Sequence, residues 1–297
     1  MYQGLGGFLD AVVPFLRDGV TRDDAMLVAV DAVKIDALRT ELGRDSGAVQ
    51  FVDMAELGRN PARIIPAWSD FLDRNAGSGL RGVGEPIWPG RSSDELVEAH
   101  YHEALINRAF ADSGAWQLLC PYDVDALDPR VIDQAKRHHP HISTDGACRP
   151  SAHFTDVDTA EGLFDAPLSE PPPDHLVMHL GPNSIADLRR CAAPIADELG
   201  LAPRLRGDLE LVVSELVTNS VRHGGGDGTL RVWRDGSSVV CEVTDEGWVE
   251  DPLAGRRLPP RVEAGGRGLW IVNQLCDLVQ LRTSASATTV RARLAFC

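Results

Sequence analysis

The chain has 297 residues, 43% of them hydrophobic and 25% charged, the composition of a soluble globular protein with apolar material for two ordinary cores. Its formal charge of −15 is spread evenly: residues 1–150 hold 15 basic and 23 acidic side chains, the remainder 14 and 21. Neither half has the basic excess that a phosphate backbone requires, which argues against a direct nucleic-acid partner and leaves a basic protein partner open.

Asp10, Pro14, Arg17 and Asp18 interrupt the first thirty residues, and no later apolar run is long enough to span a bilayer. The expected location is therefore the cytoplasm, with no membrane partner. Six scattered cysteines without a C-x-x-C pair then read as reduced thiols. Lys34 and Lys136 are the only lysines. A P-loop needs a lysine on the phosphates and a eukaryotic-type protein kinase needs one on its third strand. If the second half handles ATP, it must use another chemistry.

In chain order, the apolar runs at 26–30, 49–53, 81–87 and 116–122 read as buried strands. Helical patterns lie between them near 32–42, 61–74, 92–112 and 128–137, with Asn60 as cap before Pro61 and Ser93 as cap of the next helix. This alternation predicts a parallel sheet covered on both faces. Residues 141–174 have little periodicity, end in three prolines and read as a linker. A strand is expected at 175–180, helices at 183–199 (capped by Asn183 or Ser184) and about 203–222, and a hairpin turning near Asp235-Gly236. A Pro-rich loop over 249–264, a helix at 268–277 and a closing hairpin over 278–296 complete the pattern. The whole is an α/β protein of two domains, 1–140 and 175–297, the second a mixed sheet with helices on one face.

Within the helix at 203–222, Leu209, Val212, Val213, Leu216 and Val217 have the spacing of a core stripe. Glu215, Asn219 and His223 lie beside it, one turn apart, and alone would be a solvated face. Two later stretches give them a context. "VTDEGW" (243–248) ends a strand in an aspartate followed by a glycine, and "GGRGLWIV" (265–272) sets glycines before an apolar helix. Either is weak by itself, since both occur as ordinary turns, but the ordered series E-x-x-x-N, D-x-G and G-x-G-L is specific.

The series resembles the Bergerat-type ATP-binding fold of gyrase and histidine kinases, an α/β sandwich. Within that group, residues from about 170 to 297 look most like the bacterial anti-sigma-factor serine kinases, through "ELVTNSVRHG", "DEG", "GGRGLWIV" and "TTV". The resemblance implies ATP and Mg²⁺ as cofactors. It implies that Asn219 holds Mg²⁺, that Glu215 is the general base, and that Asp245 accepts the adenine amino proton while Gly247 lets the base approach the backbone. Gly266 and Gly268, flanking Arg267, would leave room for phosphate at the N-terminus of the helix opening near Leu269. Thr289 resembles the family's threonine near adenine, and His223 either caps its helix or meets phosphate. Two departures stand out: Val249 replaces the family's second glycine, and the loop over 249–264 is short and carries Pro252, Pro259 and Pro260.

Residues from about 5 to 140 resemble the MEDS sensory domain, named for methanogens, methylotrophs and the dichloromethane regulator. The carriers are "FVDMAELGRNPARIIPAW", "RGVGEPIWPGRSSDELVEAHYHEALINRAF" and "LLCPYD". The chain begins after most of the strand that usually precedes "GFLDAVVPFLRDG" in that family. The resemblance implies a RecA-type parallel α/β layer and an unidentified small ligand, without a G-x-x-x-x-G-K-[ST] motif. His100, His102, His138, His139 and His141, with Cys120 nearby, admit a metal or haem site. Against it, His100 and His102 cannot share a helical face, and "HHPH" also suits a helix end. Glu103 and Asn107 repeat the E-x-x-x-N spacing without glycine boxes downstream and read as structural.

Together the resemblances imply a sensor-controlled anti-sigma factor. It would bind ATP-Mg²⁺, hold a sigma factor and phosphorylate a serine or threonine of an anti-anti-sigma (STAS) partner; a homodimer is compatible with this. A histidine kinase is a weaker reading, because no dimerisation helix with a phospho-accepting histidine precedes the ATPase half. A non-catalytic, partner-holding scaffold is the third.

Overall fold

The computed structural model of the chain describes residues 1–114, 116–144, 147–155, 167–181, 200–258, 266–284 and 286–296. It divides into two compact units, Met1–Ala160 and Glu161–Cys297.

In the first unit, β1 (Ala25–Val30), β2 (Val49–Asp53), β3 (Leu80–Gly84) and β4 (Trp116–Leu119) form a parallel sheet in the order β2-β1-β3-β4. Side chains of a strand alternate between its faces, and β1 buries both. Met26, Val28 and Val30 pack with α1 (Gly4–Arg22) and α2 (Ala32–Leu42), whereas Leu27 and Ala29 pack with α3 (Met54–Leu57) and α4 (Ile64–Arg74). Asn60 Oδ1 accepts the Ala62 N–H at 3.1 Å ahead of α4. The cap of α5 (Ser93–Ala109) is Ser92, one residue earlier than expected, in a reciprocal capping box with Glu95. α6 (Pro129–His138) opens on the Asp128 cap.

Two elements of this unit escape the sequence pattern. α1 carries Pro14 in its interior, which costs about 3 kcal/mol. It also buries Phe8, Val12, Val13 and Leu16 to 5% exposure or less, and at about 1.5–3 kcal/mol each that burial outweighs the proline. The expected linker begins instead with an antiparallel hairpin, β5 (His141–Thr144) with β6 (Ala147–Pro150). Its strands are short and mostly polar. Beyond it the chain is tied to α6, where Ser151 Oγ donates to Lys136 O at 2.7 Å and Thr155 N donates to Arg137 O at 2.9 Å.

The second unit runs β7 (Leu176–Leu180), α7 (Pro203–His223), β8 (Gly228–Asp235), β9 (Ser238–Asp245), α8 (Gly268–Leu275), β10 (Leu278–Thr283) and β11 (Thr288–Ala295). The helix expected over 183–199, with Asn183 and Ser184, lies outside the described residues. The sheet order is β10-β11-β9-β8-β7, and every pair is antiparallel. The sequence pattern predicts a mixed sheet, because a strand–helix–strand passage such as β9–α8–β10 ordinarily yields a parallel pair. β9 and β10 do run parallel, but β11 lies between them and is antiparallel to both, so no parallel pair forms. Leu209, Val212, Val213, Leu216 and Val217 of α7 are buried against one face of this sheet, with Val272 of α8.

No helix among the described residues is long and apolar enough to cross a membrane. Cys120, Cys148 and Cys241 are free thiols.

Candidate functional site

A cavity of about 720 Å³ opens between α7, α8 and the ends of β9 and β11, within the size range of small-molecule sites. Strand alternation decides what faces it. Val239, Cys241 and Val243 of β9 point to the core, so Asp245, two residues on, shares their face and lines the cavity. Asp245 Oδ1 accepts the Gly247 N–H at 2.9 Å, and its other oxygen has no partner among the described residues.

The close approach of α7 to this aspartate depends on glycine. A Cβ on Gly224 would lie 2.3 Å from Asp245 Cγ, and one on Gly247 would lie 2.7 Å from His223 O. α7 ends at Gly224, and the chain turns away through Gly225 and Gly226, both at positive φ, where L side chains are strained.

At the other end, Gly268 begins α8. A Cβ there would meet Glu215 Oε2 at 2.6 Å and the Asn219 amide at 3.2 and 3.3 Å. The four-residue spacing on α7 thus brings a carboxylate and an amide together against the start of a second helix. The first backbone N–H groups of that helix have no intrahelical partner, and its dipole favours an anion there. The Glu215 and Asn219 side chains make no hydrogen bond to a described residue. Ser220 Oγ, on the same wall, is buried without a partner among the described residues, so the cavity retains unspent polar capacity.

Asn219, His223, Asp245, Gly247, Gly266, Gly268 and Leu269 all line this cavity. Glu215 reaches its edge through Gly268, and Arg267 is exposed at the N-cap of α8. Thr289 does not line it. Val290, Ala292 and Leu294 face the core, so Thr288 faces inward and Thr289 outward, where Thr289 lines a different cavity. Thr288 Oγ1 donates to Gly247 O at 2.8 Å and bonds with Thr283 Oγ1 at 2.8 Å. The period-2 pattern of β11 carries this distinction, and the "TTV" resemblance obscures it.

The motifs also leave out Trp248, Leu253 and Leu281, which form apolar wall. Of the loop expected over 249–264, residues up to 258 are described. Asn273 Nδ2 donates to Gly255 O at 3.0 Å and pins the loop to α8, and Val249 lines the cavity where the family has glycine. Pro259 and Pro260 lie outside the described residues.

Among the described residues no set of three or more His, Cys, Asp or Glu is placed to hold a metal ion; His102 and His138 are buried at 2% exposure, whereas His141 and His153 are exposed. The His100 and His138 rings lie 5.8 Å apart, and Tyr122 donates to Glu103. Asn107 Nδ2 donates to His138 O at 2.7 Å, which gives Asn107 the structural role expected of it.

Burial pulls the His138 imidazole down to about 4, with Glu103 opposing the shift and His100, His139 and Arg137 adding to it. Between about pH 6.5 and 4 the unfolded chain therefore binds a proton that the folded chain does not, and stability falls as pH falls through that window. The expected loss from this group is about 2 kcal/mol between pH 7 and pH 5. Urea unfolding of the wild type and His138→Gln at both pH values measures it. Equal pH dependence in the two proteins rules out His138 as the source.

The cavity offers an unpaired carboxylate oxygen, an apolar wall and the open N-terminus of α8, groups that a nucleotide could use. Residues 1–140 match the MEDS family, "MEthanogen/methylotroph, DcmR Sensory domain", and residues 179–294 match the "Histidine kinase-like ATPase domain" family. Residues 1–140 are thus a MEDS domain and residues 179–294 a histidine kinase-like ATPase domain. The glycine-framed cavity lies within the ATPase domain, and ATP is the ligand that this family assignment implies for it. Among solved structures, the chain is similar to the RsbU and RsbW domains of Rv1364c from Mycobacterium tuberculosis. Identity is 16% and the TM-score 0.32, over 70% of this chain and 49% of that one, so this chain spans about half the length of that relative. It is also similar to the Acinetobacter baumannii histidine kinase AdeS, at 13% identity and a TM-score of 0.25, over 41% of this chain and 68% of that one. No curated protein matches this chain.

Proposed function

We propose that the ATPase domain is an anti-sigma-factor kinase that binds ATP-Mg²⁺ and phosphorylates a serine or threonine of a STAS-type antagonist, under the control of the MEDS domain. The observation that carries this reading is the convergence of Glu215 and Asn219 on the start of α8, with 2.6 Å between Glu215 Oε2 and the vacant Cβ position of Gly268. Bound ATP-Mg²⁺ supplies a phosphoanhydride whose γ-phosphoryl group can be passed to an acceptor.

The chain's own groups have separable tasks. Asp245 offers its unpaired oxygen to the adenine amino group, and the apolar wall takes the flat base. The amides at the start of α8, with Arg267 beside them, face the phosphates. Asn219 offers one oxygen to Mg²⁺. Asn219 would be the protein ligand of such an ion, which would neutralise charge on the phosphates. Glu215 removes the acceptor hydroxyl's proton as that oxygen displaces ADP. With positive charge supplied by Mg²⁺ and by the helix amides, the domain would need no lysine on the phosphates.

Transfer of γ-labelled phosphate from ATP to a STAS-domain protein, retained on serine or threonine, is the expected result. Label on a histidine of an acceptor would instead assign a histidine kinase. Val249 at the cavity edge favours a second reading, an ATP-binding scaffold that holds its partner without transfer. ATP affinity without label on any acceptor would select it.

A further inference from the structure

The sheet of the ATPase domain has a second cavity, of about 330 Å³, on the face away from the helices. Residues 167–171, part of the described stretch of chain before β7, cross this face as a strap and form one wall. Arg291 holds the strap: Nη1 donates to Ser169 Oγ at 3.1 Å and Nη2 to Ser169 O at 2.6 Å. Arg291 is 4% exposed, and its guanidinium lies over the Trp233 ring and donates to Glu242 Oε2 from Nε at 2.8 Å and from Nη2 at 2.5 Å.

The chemistry of the lining is one-sided. Arg231 donates from Nη1 to Glu242 Oε1 at 3.1 Å and to Thr244 Oγ1 at 3.5 Å. Both oxygens of the buried Glu242 are therefore taken. The Nε and Nη2 of Arg231, whose side chain is 31% exposed, have no partner among the described residues. Around them stand the hydroxyls of Thr244, Thr283, Ser284 and Thr289. Three arginines (Arg231, Arg282 and Arg291) line the cavity against two carboxylates, the exposed Glu170 and the buried Glu242 whose oxygens are spent, so the spare guanidinium edge and the hydroxyls suit a ligand rich in acceptors. Arginine's planar fork matches phosphate and carboxylate oxygens.

This cavity backs directly on the nucleotide pocket. In the β9–β11 ladder Thr244 stands opposite Thr289, their hydroxyls 3.1 Å apart, and both line the outer cavity. The next pair in the ladder, Asp245 opposite Thr288, lines the nucleotide pocket. A ligand that shifts the outer pair moves the inner pair through one peptide unit on each strand.

We propose that the cavity beneath the 167–171 strap is a second ligand site for a small phosphate- or carboxylate-bearing molecule, and that the nucleotide pocket senses its occupancy through β9 and β11. The coupling rests on the nucleotide reading given above; occupancy of the outer cavity does not.

Inorganic phosphate and succinate serve as probes in calorimetric titrations of the full chain saturated with a non-hydrolysable ATP analogue, which fills the anion site at α8. Saturable binding of at least one probe is expected. It should weaken about 10-fold or more in Arg231→Gln, from loss of a charged hydrogen-bonding group, and less in Arg231→Lys, which keeps the charge without the fork. Nucleotide affinity measured with and without saturating probe should differ about 5-fold or more in the wild type and stay constant in Arg231→Gln. Unchanged nucleotide affinity of Arg231→Gln without probe shows that it is folded. Equal probe binding by wild type and Arg231→Gln, or no saturable binding of either probe, overturns the site. Binding that leaves nucleotide affinity unmoved overturns the coupling. If the chain binds no nucleotide, titration of the free protein still decides the outer cavity, so the two readings fail separately.

Discussion

Glu215→Gln is expected to lower phosphoryl transfer by about 10²–10⁴-fold, the usual contribution of a positioned general base, while ATP affinity changes little. The amide keeps the size of the carboxylate, so its fit against Gly268, where a Cβ would lie 2.6 Å from Oε2, is preserved. What disappears is the ability to take a proton. A group needed only as the acceptor attacks lowers kcat and kcat/KM together and leaves ground-state binding alone. Asn219→Ala separates the two roles, since loss of the metal oxygen should weaken Mg²⁺-dependent nucleotide binding itself. Single-turnover transfer and equilibrium titration on the same preparations read both effects, and normal transfer by Glu215→Gln would remove the base assignment.

Asp245→Asn should weaken ATP binding by about 10- to 150-fold, corresponding to about 1.5–3 kcal/mol for a charged hydrogen-bond acceptor lost from a buried site. The substitution is mild for the fold. Asparagine can keep the oxygen that accepts the Gly247 N–H at 2.9 Å, and its amide has the shape that Gly224 accommodates. The asparagine nitrogen then occupies the position of the unpaired carboxylate oxygen, presenting a donor to the adenine amino group. Calorimetry should show lower affinity for ATP with the thermal transition of the domain retained. Unchanged affinity would contradict the nucleotide site as drawn here.

Much of the site is legible in the sequence because it is local. The apolar stripe of α7 fixes which side of the helix meets the sheet, and the four-residue period then aligns Glu215, Asn219 and His223 beside it. The glycines at 224–226 and 268 announce either a positive φ or a close approach. The absence of lysine beyond residue 136 rules out a P-loop before any coordinate is known. The alternation of Val290, Ala292 and Leu294 likewise assigns Thr288, not Thr289, to the inner face.

Other features required the assembled chain. The sequence pattern offers no helix before residue 32, and only the burial of Phe8, Val12, Val13 and Leu16 shows that α1 gains more from its core than Pro14 costs. The hairpin over 141–150 lacks the alternating apolar pattern of a strand, and the chain beyond it is tied down by bonds to α6. The antiparallel sheet depends on β11 entering between β9 and β10, a pairing between distant segments that no local period encodes. The histidines of α5 and α6 leave a ligand site open in the sequence, and the fold buries His102 and His138 at 2% exposure. Trp248, Leu253 and Leu281 become walls of the nucleotide pocket, and Arg291 clamps Ser169 from 122 positions away. Spacing along the chain specifies the face of an element, because side-chain direction follows from backbone geometry. Which faces meet is decided by burial and hydrogen bonding across the whole domain.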